Sequence, residues 1–283
     1  WRFQLPALAA AGYRAIAPDQ RGYGVTDRPQ AVEAYDIHQL TGDLAGLLDA
    51  LELDRALFCG HDWGGGVVWS MAQLHPDRVA GVIALNTPQS PRPPVDPITL
   101  MRASFGEEFY ILQFQEPERA DALLLEHVES VFRLFYSRAE MSAEEFTALP
   151  AEQRRLSMLD AVAAFDPATA PPCIIDEAAL AVFTETFRRT GFTGGINWYR
   201  NISRNWATTA DAPTRIEVPA LMISAANDVV LTPAMTEGME ARVPDLEKHV
   251  IADCGHWTQQ EKPAETNALI IDWLRRRFPA DAP

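Results

Sequence analysis

The chain has 283 residues, enough for one large α/β domain or a domain with an insertion, and enough to bury a sizeable core. Its 24 basic residues against 39 acidic ones leave a formal net charge of −15, which argues against nucleic-acid or anionic-membrane partners. No apolar run approaches the ~20 residues of a membrane span, and the stretch to Ala11, with Pro6, does not read as a signal peptide. Cys59, Cys173 and Cys254 form no metal or disulfide spacing, so a soluble, reducing, cytoplasmic setting is expected.

In chain order, Tyr13 to Pro18 reads as a short buried strand, followed by the glycine-bearing loop Asp19 to Gly24. Leucines at 40, 44, 47, 48 and 51 mark an amphipathic helix over Asp36 to Leu53. Ala56 to Cys59 is an apolar strand that runs into Gly60-His61-Asp62-Trp63-Gly64-Gly65-Gly66, and Gly64 to His75 reads as the next helix. Val79 to Leu85 is another buried strand. Alternating strands and helices at this spacing predict parallel βαβ units and an α/β fold. From Gln89 to about Ala212 no buried strand is evident. Pro91 to Pro94 reads as a linker, and helices are expected over Phe105 to Gln115, Glu118 to Arg138, Ala143 to Leu149 and Glu177 to Arg189. Strands return at Pro219 to Ala225 and Lys248 to Ala252, and Pro263 to Arg277 closes with an amphipathic helix. The expected domains are a core over 1–90, a helical insertion over 91–212 and a second core part over 213–283.

Gly60-x-Asp62-x-Gly64 has the pattern of a sharp strand-to-helix turn that lifts a nucleophile above a sheet, with aspartate where serine is usual. Asp228 follows the strand PALMISA and His256 follows KHVIA, giving the order nucleophile, acid, histidine beyond strand ends. A serine that displaced a group at sp³ carbon would leave an ether, which water does not readily cleave. A carboxylate forms an ester instead, and water activated by His256 can then attack the carbonyl of Asp62. Asp228 would hold the imidazole tautomer, with Asp253 as competing orienter. An electrophilic sp³ carbon is therefore the expected target. The histidines at 38, 61, 75, 127 and 249 default to structural or surface roles, and Glu126 to Glu129 reads as a solvated helix face, not a metal site.

These residues resemble the epoxide hydrolase branch of the α/β-hydrolase superfamily. HDWGG (61 to 65), SAAND (224 to 228) and DCGHW (253 to 257) carry the resemblance, with FQEP (114 to 117) and NWYRN (197 to 201) in the insertion. It extends over nearly the whole chain, including APDQRGYG (17 to 24) and TGF (190 to 192). It implies an α/β-hydrolase fold with a helical cap, turning an epoxide and water into a vicinal diol in a detoxifying role. No metal or organic cofactor is implied, and a homodimer stays open. Two cap tyrosines, Tyr110 and Tyr199 by motif, would hydrogen-bond the epoxide oxygen. A phenol with reference pKa near 10 can donate as the alkoxide develops. The backbone N–H of Trp63 would face the ester oxyanion, and Trp198 and Trp206 would pack the cap. Haloalkane dehalogenases share HDWG and are the alternative within enzymes; a silent binding module or an incomplete fragment is the alternative outside them. The family's His-Gly-x-Pro segment has no counterpart, since the chain contains no His-Gly dipeptide, so the resemblance implies a member truncated at its N-terminus.

Overall fold

The structure, a computed structural model, describes residues 1–138, 141–150, 154 and 156–280. The first helices are α1 (Gln4–Ala10) and α2 (Ile37–Ala50), the latter capped by Asp36, whose carboxylate accepts from the N–H of Gln39. Then come β1 (Ala56–His61), α3 (Trp63–Leu74) and β2 (Val79–Leu85). Between β2 and the next strand lie α4 (Pro97–Phe105), α5 (Tyr110–Gln113), α6 (Arg119–Glu126), α7 (Val128–Phe135) and α8 (Ala143–Ala148). They are followed by α9 (Met158–Ala163), α10 (Glu177–Thr190), α11 (Thr193–Arg200) and α12 (Ile202–Thr208). The chain returns to β3 (Ala220–Ala225) and β4 (Leu246–Ile251), then α13 (Thr258–Glu261) and α14 (Pro263–Arg277).

Among the described residues the strands form one parallel sheet in the order β1-β2-β3-β4. Side chains along a strand alternate between faces, and here both faces are covered. Val82, Ala84, Ala220 and Met222 pack with Trp69 and Met71 of α3, while Ile83, Leu85, Leu221 and Ile223 pack with Ile270, Trp273 and Leu274 of α14. That double burial explains why β2 and β3 read as continuous apolar runs. The helices between β2 and β3 have their own core, built around Phe114, Leu124, Phe132, Leu180 and Phe192. No helix among the described residues is long and apolar enough to cross a membrane.

Several expectations change. Tyr13 to Pro18 is not a buried strand: it belongs to no ladder among the described residues, and Ile16 is 48% exposed. Its apolar residues signalled burial, but among the described residues β1 pairs on one side only, with β2, and no strand lies beside the segment for its backbone to join. The helix expected over Phe105 to Gln115 shrinks to the four residues of α5; Phe105 instead ends α4, which was not expected, and the chain turns at Gly106, where φ is 77°. The helix expected over Glu118 to Arg138 divides at His127 into α6 and α7, each with its own buried stripe. Helices α9, α11 and α12 were not expected. In α11 the periodic apolar signal is erased by Gly194, where a Cβ would come within 2.6 Å of the Gly22 carbonyl oxygen.

The turn after β1 depends on missing side chains. A Cβ at Gly60 would sit 2.1 Å from the carbonyl oxygen of Gly64, so the helix can start this close to the strand only if position 60 has none. Gly60→Ala is expected to lower the unfolding free energy by roughly 1–3 kcal/mol or more, as overpacking against backbone does. Urea denaturation of the two proteins checks this; an unchanged midpoint would show that the turn relaxes freely.

Candidate active site

Asp62 ends β1 at φ 53° and ψ −123°, a strained conformation for a residue with a side chain, and α3 begins at the next residue. Three bonds hold it there. The N–H of Asp62 donates to the Leu85 carbonyl at 3.4 Å, its own carbonyl accepts from Gly66 N–H at 3.2 Å, and the same carbonyl accepts from the Thr87 hydroxyl at 2.6 Å. The carboxylate is thereby lifted beyond the carboxyl end of the sheet.

Asp228 follows β3 and is 1% exposed, yet both of its carboxylate oxygens are satisfied. One accepts from the N–H groups of Val230 and Leu231 at 3.0 and 2.9 Å, the other from the Asn86 amide at 2.7 Å and from Nδ1 of His256 at 2.8 Å. Burial alone would raise the carboxyl's pKa, but the bonds from His256, Leu231 and Asn86 and the charge of His256 hold it below its ordinary value. With Nδ1–H spent on Asp228, Nε2 of His256 points to Asp62, 3.6 Å from its Oδ2. Burial opposes the imidazolium, but the bond and charge of Asp228, then the charges of Asp62 and Glu261, raise His256 to about 9. Asp253, the competing orienter, makes no such bond: Asp228 is the carboxylate on the ring.

The helical insertion supplies the opposite wall. A cavity of about 590 Å³ is lined by Asp62, Trp63, Tyr110, Tyr199 and apolar side chains including Phe109 and Leu231. The rings of Tyr110 and Tyr199 lie 5.9 Å apart, and that of Tyr199 stands edge-on to Trp63 at 5.1 Å. Both phenols are raised above their ordinary pKa, first by burial, and then by Asp62 and Asp228 at Tyr110 and by Tyr110, Asp62 and Tyr23 at Tyr199. They therefore stay protonated across neutral pH. The two insertion motifs hold each other: Gln115 of FQEP donates to the Tyr199 carbonyl at 3.1 Å, and Arg200 of NWYRN donates to the carbonyls of Phe114 and Glu116 at 2.9 and 3.1 Å. The Trp206 indole donates to the Pro93 carbonyl, whereas Trp198, expected to pack the cap, packs against Tyr35, Ile37, Leu40 and Val67 of the core and donates to the Arg21 carbonyl.

Sequence reasoning brought Asp62, Asp228, His256, Trp63, Tyr110 and Tyr199 to this region. It passed over His61, Asn86 and Thr258. His61 packs beside His256 at 4.7 Å between ring centres, the rings tilted by 55°, and its Nε2 donates to the His256 carbonyl at 2.7 Å. Burial first, then the neighbouring imidazole, lowers His61 to about 4, so it is the neutral Nε2–H tautomer. Thr258 donates to the Asn86 oxygen at 2.6 Å, which turns the Asn86 amide toward Asp228. The only sequence signal for His61 and Asn86 is their place at a strand end; Thr258 opens α13 and has none.

A family model described as "alpha/beta hydrolase fold" matches residues 1–263. Epoxide hydrolase A of Mycobacterium tuberculosis is 46% identical over 281 residues, covering 97% of this chain and 85% of that protein. The bifunctional epoxide hydrolase 2 of Sus scrofa is 40% identical; it too matches 97% of this chain, but the chain spans only 48% of its length. The solved structure of Epoxide Hydrolase A from Mycobacterium thermoresistibile superposes with a TM-score of 0.86 at 42% identity, covering 97% of this chain and 86% of that one. The chain thus belongs to the alpha/beta hydrolase fold family and, within it, to the epoxide hydrolases.

The charge pattern sets a pH dependence. His256 is raised in the fold from 6.5 to about 9, so its contribution to stability is fully present below pH 6.5 and is lost as pH rises through 9. His256→Gln, which has no titration here, should close its stability gap to the wild type between pH 6.5 and 9.5. Denaturation midpoints across that window measure it; a constant gap would mean that the ring is not charged at rest.

Proposed function

We propose that this enzyme hydrolyses an epoxide to a vicinal diol in two steps, with Asp62 as nucleophile. The observation that carries the reading is the placement of a strained carboxylate and two protonated phenols on opposite walls of one apolar cavity. In the first step an oxygen of Asp62 attacks an epoxide carbon and the carbon–oxygen bond of the ring breaks. The departing oxygen takes a proton from the Tyr110–Tyr199 pair, and an alkyl ester remains on Asp62.

At rest, at neutral pH, His256 carries a proton, because its pKa is about 9. Esterification removes the negative charge of Asp62, one of the anions that favour this proton. The ring releases it and the tyrosinate regains it. Neutral His256 then takes a proton from water at Nε2 while the water oxygen attacks the ester carbonyl. Collapse breaks the ester, the new carboxyl proton passes to the leaving alkoxide, and the diol departs. Asp62 is again a carboxylate, His256 again an imidazolium, and one water has been consumed. In this reading residues 91–212 act as a cap that presents the phenols, and 1–90 with 213–283 form the core that holds the triad. The free thiols of Cys59, Cys173 and Cys254 suit the reducing, cytoplasmic setting expected for it.

His256→Gln should accept the substrate on Asp62 and then stall, leaving a mass increase of one substrate on the intact protein in mass spectrometry. Full steady-state turnover by this variant would remove His256 from the base role. Tyr110→Phe and Tyr199→Phe should each slow ester formation about 10²- to 10³-fold, ~3–4 kcal/mol, unless the surviving phenol compensates, and the double variant should lose more than either. Single-turnover kinetics decide this: a double variant within about tenfold of wild type would make the phenols packing residues.

A further inference from the structure

The loop that carries His256 is short, and its backbone is held by a carboxylate that the chemistry above does not use. Glu261, at the end of α13, reaches back over one turn. Its Oε2 accepts from the N–H of Gly255 at 2.9 Å and its Oε1 from the N–H of Trp257 at 3.0 Å. Glu261 thus grips, with one rigid group, the backbone N–H groups of the residues on both sides of His256. The grip closes on itself, since the N–H of Glu261 donates to the carbonyl of Trp257 at 2.9 Å. His61 holds the carbonyl of His256 itself. A carboxylate suits this geometry because its two equivalent oxygens each accept from one of the two converging backbone donors, and an ionised acceptor makes both bonds stronger.

We propose that Glu261 is a positioning residue for His256, fixing the depth and angle of the imidazole and adding a negative charge that tunes its protonation. The proposal rests on the two-step reading above. Among the described residues four ionisable groups face the ring: Asp228 on Nδ1, Asp62 on Nε2, neutral His61 against one face, and Glu261 behind the loop. Once Asp62 is esterified, Asp228 and Glu261 are the anions left, so the charge of Glu261 weighs most in the hydrolytic half, where His256 must be neutral. Removing it favours the neutral ring and moves the rise of hydrolysis with pH toward acid. Removing the bidentate grip lets the ring drift, and a displacement of about 1 Å in a reacting group costs as much as 10²-fold.

The test separates grip from charge in the full chain, by single-turnover mass spectrometry of the ester across pH 5 to 9. In Glu261→Gln the amide presents one acceptor and one donor to two donors. We expect ester formation within about threefold of wild type, plateau hydrolysis slowed about tenfold or more, and the pH limb moved acidward by on the order of half a unit. Glu261→Asp keeps the charge but is too short to span both N–H groups, so it should lose plateau rate and keep the limb. If Glu261→Gln hydrolyses its ester at the wild-type rate with an unmoved limb, the inference is overturned. A lower melting temperature with both unmoved also overturns it, because it leaves Glu261 a merely structural role. A wild type that forms no ester at all would instead sink the two-step reading, and this proposal with it.

Discussion

The structure turns on the backbone of one residue. Asp62 lies where φ is 53° and ψ is −123°, a conformation worth on the order of 1–3 kcal/mol of strain that persists only when its surroundings over-determine it. They do so through Gly60, which lets α3 start against the strand, and through the Leu85 carbonyl, the Thr87 hydroxyl and the Gly66 N–H. Leu85 and Thr87 belong to β2 and the residues just after it, so the nucleophile's geometry is imposed by the neighbouring strand. The parallel register that pairs His61 with Leu85 is therefore part of the site. A sheet buried on both faces is stiff enough to hold such strain.

A second constraint is electrostatic. Asp228 is almost wholly buried, which would be costly for a lone carboxylate, yet it is fixed by two backbone N–H groups, an amide and an imidazole. Its charge cannot move, so the proton on His256 responds instead to what happens at Asp62. The adjacent His61 stays neutral, which spares the pocket a second cation beside the first. Thr258 and Asn86 contribute no charge, but they orient the amide so that its donor faces the carboxylate.

Much of the core was legible in the sequence, for a physical reason. β2 and β3 are buried on both faces and read as unbroken apolar runs, and α2 announces itself by its stripe of leucines. The candidate triad was legible because each member stands at a strand end in a distinctive local motif. The segment 13–18 misled because its composition is that of a strand, whereas ladder pairing depends on what lies beside it. The helical region was the least legible. Its helices are short, bury aromatic side chains against one another and turn at Gly106, Glu118 and Gly191, all at positive φ. Residues such as His61 and Asn86 act through bonds to partners 142 or more positions away, and no local pattern records that.

The two motifs in the helical region explain each other once their bonds are known. Arg200 is 11% exposed and spans both: it pairs with Asp121 at 2.6 Å and donates to the carbonyls of Phe114 and Glu116. Gln115 returns the contact through Ile111 and Tyr199. Tyr110 and Tyr199 lie far apart in the chain but ride on segments clasped by these bonds, which together with the edge-to-face contact of the two rings hold the phenols side by side. Their orientation toward Asp62 is fixed in turn by the docking of α11 on the core. There Gly194 meets Gly22 too closely for any side chain, and the Trp198 indole donates to the Arg21 carbonyl at 3.3 Å. A group that must meet a developing alkoxide gains little from strength and much from being in place beforehand. In the proposed mechanism that need is met by side-chain donors that close on main-chain carbonyls and fix the segments carrying the two rings.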